Sequence, residues 1–322
     1  MPKPSDTYAL IIKQKARELG FLDCRISKAR RLDEEEDHLE QWLKKGYNGT
    51  MGWMGNHFEK RLDPRQLVPG ARSVISLAFN YFPKEEQEVP DAPKIARYAY
   101  GEDYHFVLKR KLKEFVEFIR TEIGPVEGRV FVDSGPVMER QWAANSGLGW
   151  IGKNSLLLRK GEGSWFFLCE MILDLDLPED PPVTDHCGSC TRCVDACPTE
   201  AILENRTIDA SKCISYLTIE LKDSIPMDFK GKMEDWAFGC DICQEVCPWN
   251  RFATPHSEPA LDPHPDLLKM DREEWFEMTK EVFNDLFRRS AVKRTKYEGI
   301  QRNLNFLGRS SGSGRAFDKG EE

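Results

Sequence analysis

Eight of the ten cysteines stand in two tight groups, Cys187, Cys190, Cys193 and Cys197, then Cys213, Cys240, Cys243 and Cys247. Nothing else in the chain restricts its fold as much, because this is the arithmetic of two four-iron clusters. The first group reads C-x2-C-x2-C-x3-C-P through Pro198, the run in which three thiolates grip one cubane and the fourth reaches across to another. The second group, Cys240, Cys243, Cys247 and Pro248, has Ala237 where the run would open, and Cys213 is the only cysteine between the groups that can supply the missing thiolate. If the crossing rule holds for both runs, one cluster takes Cys187, Cys190, Cys193 and Cys247, and the other takes Cys197, Cys213, Cys240 and Cys243.

Zinc is the plainest rival, since paired C-x2-C knuckles are common zinc ligands, but zinc sites have no need of a three-cysteine run closed by Cys-Pro, and none of two. A disulfide framework fits worse. The chain is 322 residues long, opens without a secretory signal, and crowds these cysteines into about a fifth of its length, which suits a reducing cytoplasm. Cys24 and Cys169 have apolar neighbours and read as small core residues.

This length holds two or more cores. No apolar run is long enough to span a bilayer, so no membrane partner is expected. The formal charge of -8 argues against a generally basic nucleic-acid binder, yet Arg288, Arg289, Lys293, Arg294, Lys296 and Arg302 face one acid, Glu298, over residues 288–303. Such a run is either a solvated helix face or a contact for phosphates.

Helical and strand-like patterns alternate up to about residue 176. Helices are expected after Ser5, around Trp42 and over 106–119, and strands over 21–26, 73–79, 129–132 and 164–173. The expected fold class is therefore α+β: an amino-terminal α/β domain over 1–176, a ferredoxin-like two-cluster module over 177–260, a helical region over 261–308 and a Ser/Gly tail over 309–322. Pro178, Pro181 and Pro182, set among acids, mark the linker between the first two.

Two clusters alone make an electron carrier, and a carrier does not need the ordered segment in front of them. No G-x-G-x-x-G follows a strand there, and there is no P-loop. Asp133 stands just past a strand and before a helix expected to open at Pro136, so it either caps that helix with Ser134 or faces a ligand. A carboxyl that donates a proton must also stay protonated, which requires burial. Gly147-Leu-Gly-Trp-Ile-Gly-Lys-Asn-Ser155 offers glycines that could admit a flat ligand, with Lys153 and Asn154 as polar contacts, though glycines more often make turns. Arg97-Tyr-Ala-Tyr-Gly-Glu-Asp-Tyr-His105 is a polar and aromatic cluster in which a lone His105 reads as structural.

These segments in order, Ala96 to His105, Val132 to Arg140, Gly149 to Asn154, the two cysteine runs, Cys213-Ile-Ser-Tyr-Leu-Thr-Ile-Glu220 and Cys247-Pro-Trp-Asn250, resemble the epoxyqueuosine reductases over roughly residues 5–305. The resemblance implies a cobalamin between the amino-terminal domain and the clusters, held without its own base on cobalt. The cobalamin signature D-x-H-x-x-G is not met, because Leu108 stands at the glycine of the run begun by Asp103-Tyr-His105. Carried over, Asp133 is the proton donor at the cobalt face, and Arg97, Lys153, Asn154, Ser155, Ser215 and Asp241 are candidate contacts to the corrin or its tail. The implied reaction removes the epoxide oxygen of epoxyqueuosine in a tRNA anticodon loop as water, with electrons from an external low-potential donor. Lys222, Lys293, Arg294 and Lys296 are then the candidate tRNA contacts, and the chain is expected to act as a cytoplasmic monomer. The rivals are a reductive dehalogenase-like cobalamin enzyme and an iron-sulfur electron-transfer protein without catalysis.

Overall fold

The structure is a computed structural model that describes residues 4–309; the expected tail lies outside them apart from Arg309. Its centre is a four-stranded sheet in the order Asp23–Lys28, Ser73–Asn80, Phe166–Leu173, Gly128–Phe131, each neighbour antiparallel. Alternation of helix and strand in sequence does not encode strand direction, and here every pairing is antiparallel, so the amino-terminal part is α+β and not a parallel α/β sheet. Ser73–Asn80 and Phe166–Leu173 are the inner strands, covered on both faces, and they read as nearly unbroken apolar runs for that reason.

One face packs on the Pro4–Glu18 and Tyr104–Glu122 helices. Ile12, Ala16, Leu108, Leu112 and Phe115 meet Ile75, Leu77 and Phe79 in the largest core. The first helix ends at Glu18 and the chain turns out through Gly20 at φ +88°, a backbone angle that glycine reaches without strain. The other face carries the short Glu139–Asn145 helix, whose Trp142 is buried against Val74, Phe131 and Ile172. Expected strand positions agree with the observed ones within a few residues. The helix expected from Pro136 starts instead at Glu139.

The cysteine segment is tied to the first domain by backbone. Lys94–Ile95 pairs in parallel with Trp236–Phe238, and the late helices Arg272–Glu277, Lys280–Leu286 and Lys296–Leu307 bury Trp275, Phe283, Phe287, Ile300 and Leu304 in a core shared with Ile95, Ala99 and Tyr100. The proline-rich stretch is extended, and it is pinned: Asp180 accepts from Lys13 and from the Ile26 amide, and its own amide donates to the Ile26 carbonyl. Among the described residues no helix is long and apolar enough to cross a membrane.

Candidate active site

Past the end of Gly128–Phe131 the chain turns sharply, and Asp133 takes the left-handed conformation at φ +56°. That costs roughly 1–2 kcal/mol for a residue with a side chain. The Asp133 amide is held there, donating to Oε1 of Glu139 at 2.7 Å. Since the helix begins at Glu139, six residues on, neither Asp133 nor Ser134 caps it; its N-cap is Met138, without a side-chain bond. The capping alternative falls, and the Asp133 side chain is half exposed, at 50%, toward a cavity.

Facing it is the start of the Tyr104–Glu122 helix. Asp103 caps that helix, accepting from the His105 amide at 2.9 Å, and its Oδ1 also lies 2.7 Å from His105 Nδ1. His105 Nε2 is 3.4 Å from Asp133 Oδ2, and the Tyr104 hydroxyl donates to the same oxygen at 2.9 Å. Tyr104 is stacked between the His105 ring and Phe167, each centroid 4.2 Å away. Burial works to raise the Asp133 carboxyl, but the hydrogen bonds from His105 and Tyr104 and the charge of Arg294 outweigh it and hold the group below its usual range. Burial likewise opposes the His105 cation, and its bonds to Asp103 and Asp133 outweigh that, raising it to about 9. In the resting arrangement Asp133 is a carboxylate and the proton sits on His105.

This sets a sign for stability. A histidine whose folded value lies above its unfolded 6.5 stabilises the fold fully below 6.5, and that contribution is lost as pH rises to about 9. Melting curves should therefore show the wild type exceeding H105Q most at mildly acidic pH, with the gap closing above about 9; a constant gap would contradict the assignment of the proton.

The cavity has a volume of about 530 Å³, with Tyr98 and Phe106 as apolar wall and Arg288, Arg289, Lys293 and Arg294 as rim. Arg294 pairs with Glu220 at 2.7 Å, and Lys293 donates to Asn284. Lys222 donates to the Ile219 carbonyl at 2.8 Å; burial, and after it the nearby cations Arg294, Arg302 and Lys296, lower its pKa despite Glu220. Lys296 is exposed at the start of the last helix. Arg302 turns inward and donates to the carbonyls of Leu217 and Asp223. Asp133 and part of the cationic stretch, Arg288, Arg289, Lys293 and Arg294, thus share one cavity, whereas Lys222, Lys296 and Arg302 lie outside its lining.

The cysteines of the two runs lie near one another, and their mutual influences run both within and across the two expected quartets. Burial raises the Cys193 thiol, and the charges that raise it further are Cys247, Cys187 and Cys190; Cys247 is affected by Cys187 and Cys190. Cys240 and Cys243 are raised by burial and then by charges that include Cys213; Cys213 and Cys243 both feel Cys197, and Cys243 also feels Cys193 of the other expected quartet. Backbone amides are directed at the sulfurs: Ala201 to Cys197 at 3.4 Å, Ser215 and Tyr216 to Cys213, Ile242 to Cys240, Trp249 and Asn250 to Cys247. Such donors stabilise bound thiolates and raise cluster potentials, so the donor set fits iron-sulfur ligation. Among the described residues no three metal-binding side chains close on a point that would hold a single ion. Cys190 is exposed, whereas Cys213, Cys240 and Cys243 lie deeper. Cys213 opens the six-residue Ile214–Ile219 helix, whose last residue lines the cavity, about 9 Å away by helical rise.

The nominated corrin contacts are largely occupied by the protein itself. Arg97 and buried Asp241 bond each other, with Arg97 also reaching Glu86 and Glu245. Lys153 donates to the Cys190 carbonyl at 2.8 Å and Asn154 to that of Cys243, bracing the cysteine segment. Ser155, at φ +62°, accepts from Arg140, and Ser215 serves the Cys213 sulfur through its amide. Nor do the glycines admit a ligand: a Cβ on Gly147 would meet the Pro181 carbonyl, on Gly149 that of Leu158, and on Gly152 the Leu158 side chain. They are small because protein packs there. Tyr104, Glu139 and Glu170 were not singled out from sequence, although Glu170 carried a signal, as the lone acid in the apolar strand Phe166–Leu173.

Amide-lined cysteines set one short helix from a cavity with an acid-base cluster mark the chain as an iron-sulfur oxidoreductase. Residues 61–134 match the family model described as epoxyqueuosine reductase QueG, DUF1730, and residues 186–250 match a 4Fe-4S double cluster binding domain. The epoxyqueuosine reductase of Cyclobacterium marinum is 62% identical over 304 residues, 94% of this chain and 97% of that protein. A crystal structure of epoxyqueuosine reductase with an epoxyqueuosine-modified tRNA-Tyr stem loop superposes with a TM-score of 0.83 at 30% identity, covering 93% of this chain and 80% of that one. A structure of the Bacillus subtilis enzyme, with its catalytic aspartate loop swung out of the active site, gives a TM-score of 0.85 at 29% identity, with the same coverage. This chain belongs to the epoxyqueuosine reductase family.

Proposed function

We propose that this chain reduces epoxyqueuosine to queuosine in a tRNA anticodon loop, converting the epoxide to an alkene with two electrons and two protons and releasing its oxygen as water. The observation that carries this reading is the shared cavity: Asp133, the basic residues Lys293 and Arg294, and the end of the helix that starts at Cys213 meet there. Asp133 passes a proton to the departing oxygen, whose alkoxide is otherwise a poor leaving group. Because Asp133 is ionised at rest, His105 holds that proton first and delivers it through the Asp133 carboxylate. The aspartate loop that moves in the Bacillus subtilis relative corresponds in character to the turn at Asp133, whose left-handed backbone hangs on one bond to Glu139.

Cys187, Cys190, Cys193 and Cys247 would hold one 4Fe-4S cluster, and Cys197, Cys213, Cys240 and Cys243 the other. Held there, the clusters would supply single electrons at low potential, with the exposed Cys190 side open to an external donor and the deeper Cys213 one short helix from the cavity. A cobalamin bound at this cavity would lie against Tyr98, Tyr104 and Phe106 with Asp133 beside it, and at about 530 Å³ the cavity would enclose only part of so large a group. Bound there, that group would supply a low-potential, strongly nucleophilic metal centre.

An iron-sulfur carrier without catalysis would take up no cobalamin, so anaerobic reconstitution followed by optical spectroscopy separates the two readings. The RNA contacts have their own test. Neutralising Lys293, Arg294 and Lys296 together should weaken stem-loop binding and reduce the slope of log affinity against log salt by roughly 2, at ~0.7 per single-strand phosphate contact. An unchanged slope would remove this patch from the interface.

A further inference from the structure

The centre of the sheet holds acids that the reaction above does not use. Glu170, on the inner strand, is fully buried, and strand register sets it opposite Ser76 on one side and Phe131 on the other. Neither Glu170 carboxyl oxygen nor the Ser76 hydroxyl finds a hydrogen-bond partner among the described residues. The group beside Glu170 is Glu139, carboxyl to carboxyl, and Glu139 is the residue that accepts the Asp133 amide. Two carboxylates cannot bond each other, since both only accept; with one proton between them they can. An unpaired carboxylate buried in a sheet is far costlier than an acid, so the pair keeps a proton.

The surrounding charges agree. Burial, and after it Glu139, pushes Glu170 well above the carboxyl range; burial and then Asp133 push Glu139 up, against the pull of Arg140. Cys169 lies beside both acids as a neutral thiol, and Tyr104 and His105 stand across Asp133 from them.

Reduction of the epoxide consumes two protons, whereas Asp133 carries one at a time. We infer that Glu139 and Glu170 hold a shared proton in reserve behind Asp133 and recharge its carboxylate once in each turnover, a role that rests on the reaction proposed above. His105 supplies the first proton through Asp133, and the carboxyl pair supplies the second when the Asp133 side chain turns from His105 toward Glu139, whose Oε1 already holds its amide. With two electrons from the clusters these convert the epoxide to an alkene and water. A proton then returns from solvent through the half-exposed Asp133 side chain, so neither Glu139 nor Glu170 needs to face water. Glu139 and Glu170 are positioning and relay residues, since neither touches the substrate oxygen.

The test uses reconstituted enzyme in two measurements. Infrared spectra of the wild type near neutral pH should contain the carbonyl band of a buried carboxylic acid, shifted in D2O and absent from E170Q; a wild type without that band overturns the proposal whatever the variant does. In the second, kcat is followed against pH for wild type, E170Q and E139Q on modified stem loop. In E170Q the amide donates to Glu139 and removes the repulsion that kept the proton, so kcat should fall about tenfold or more on the alkaline side and approach wild type on the acid side, where solvent recharges Asp133 directly. E139Q should show the same tilt, with KM and iron content unchanged. An equal loss at every pH, or no loss, overturns the reserve. Should D133N turn over normally while the infrared band is present, the proposed reaction has failed and the proton store has not.

Discussion

Exchanging Asp133 for asparagine lowers turnover by about 10³-fold, the scale of a lost general acid, while iron content, cobalamin uptake and stem-loop affinity stay at wild-type levels. The D133N variant keeps the backbone amide that donates to Glu139, and asparagine tolerates the left-handed backbone at φ +56° as readily as aspartate, so the loop should stand as it does. What is lost is the one oxygen that receives both the Tyr104 hydroxyl and His105 Nε2, and with it the path by which a proton leaves His105. Rate and metal content must be measured on the same preparation. Near-normal kcat would show that another group protonates the oxygen.

The second large effect belongs to Cys213. Cys213→Ala should leave roughly half the iron and stop turnover, because four thiolates hold each cubane and this one stands between the two runs. The electron path breaks at the same place, since the helix that begins after Cys213 ends at the cavity wall. The cluster of Cys187, Cys190, Cys193 and Cys247 should survive and still be reducible. Cys24→Ala is the control: that thiol is buried in the main core, and its loss should leave iron unchanged. Full iron in the Cys213 variant would return the missing ligand to another residue.

The double-cluster segment is legible in sequence because ligand spacing is itself the geometric requirement, while the division of its eight cysteines into quartets, with Cys213 standing in at Ala237, is what the Cys213 variant tests. The basic stretch was legible as charge. Its meeting with Asp133 was not, because Lys293 and Asp133 come together through the packing of late helices on Tyr100 and Ile95, which no local pattern contains. Strand direction was also hidden, since a doubly covered antiparallel strand such as Ser73–Asn80 has the same apolar run as a parallel one. Lys153 and Asn154 look alike on paper whether they hold a ligand or a neighbouring backbone, and the structure gives them the carbonyls of Cys190 and Cys243. His105 reads as structural because a lone histidine usually is; the carboxylates at its two ring nitrogens, from Asp103 and Asp133, favour its cation and could not be seen from sequence.

The central claim is that electrons gathered by the cysteine segment reach an epoxide held over Asp133. It is tested most directly by anaerobic turnover: reduced, cobalamin-reconstituted enzyme is mixed with an anticodon stem loop bearing epoxyqueuosine, and the nucleoside is analysed by mass spectrometry. The predicted result is loss of one oxygen atom from the nucleoside, dependent on both cofactors and absent with D133N. An intact epoxide after the clusters have been oxidised in its presence would contradict it.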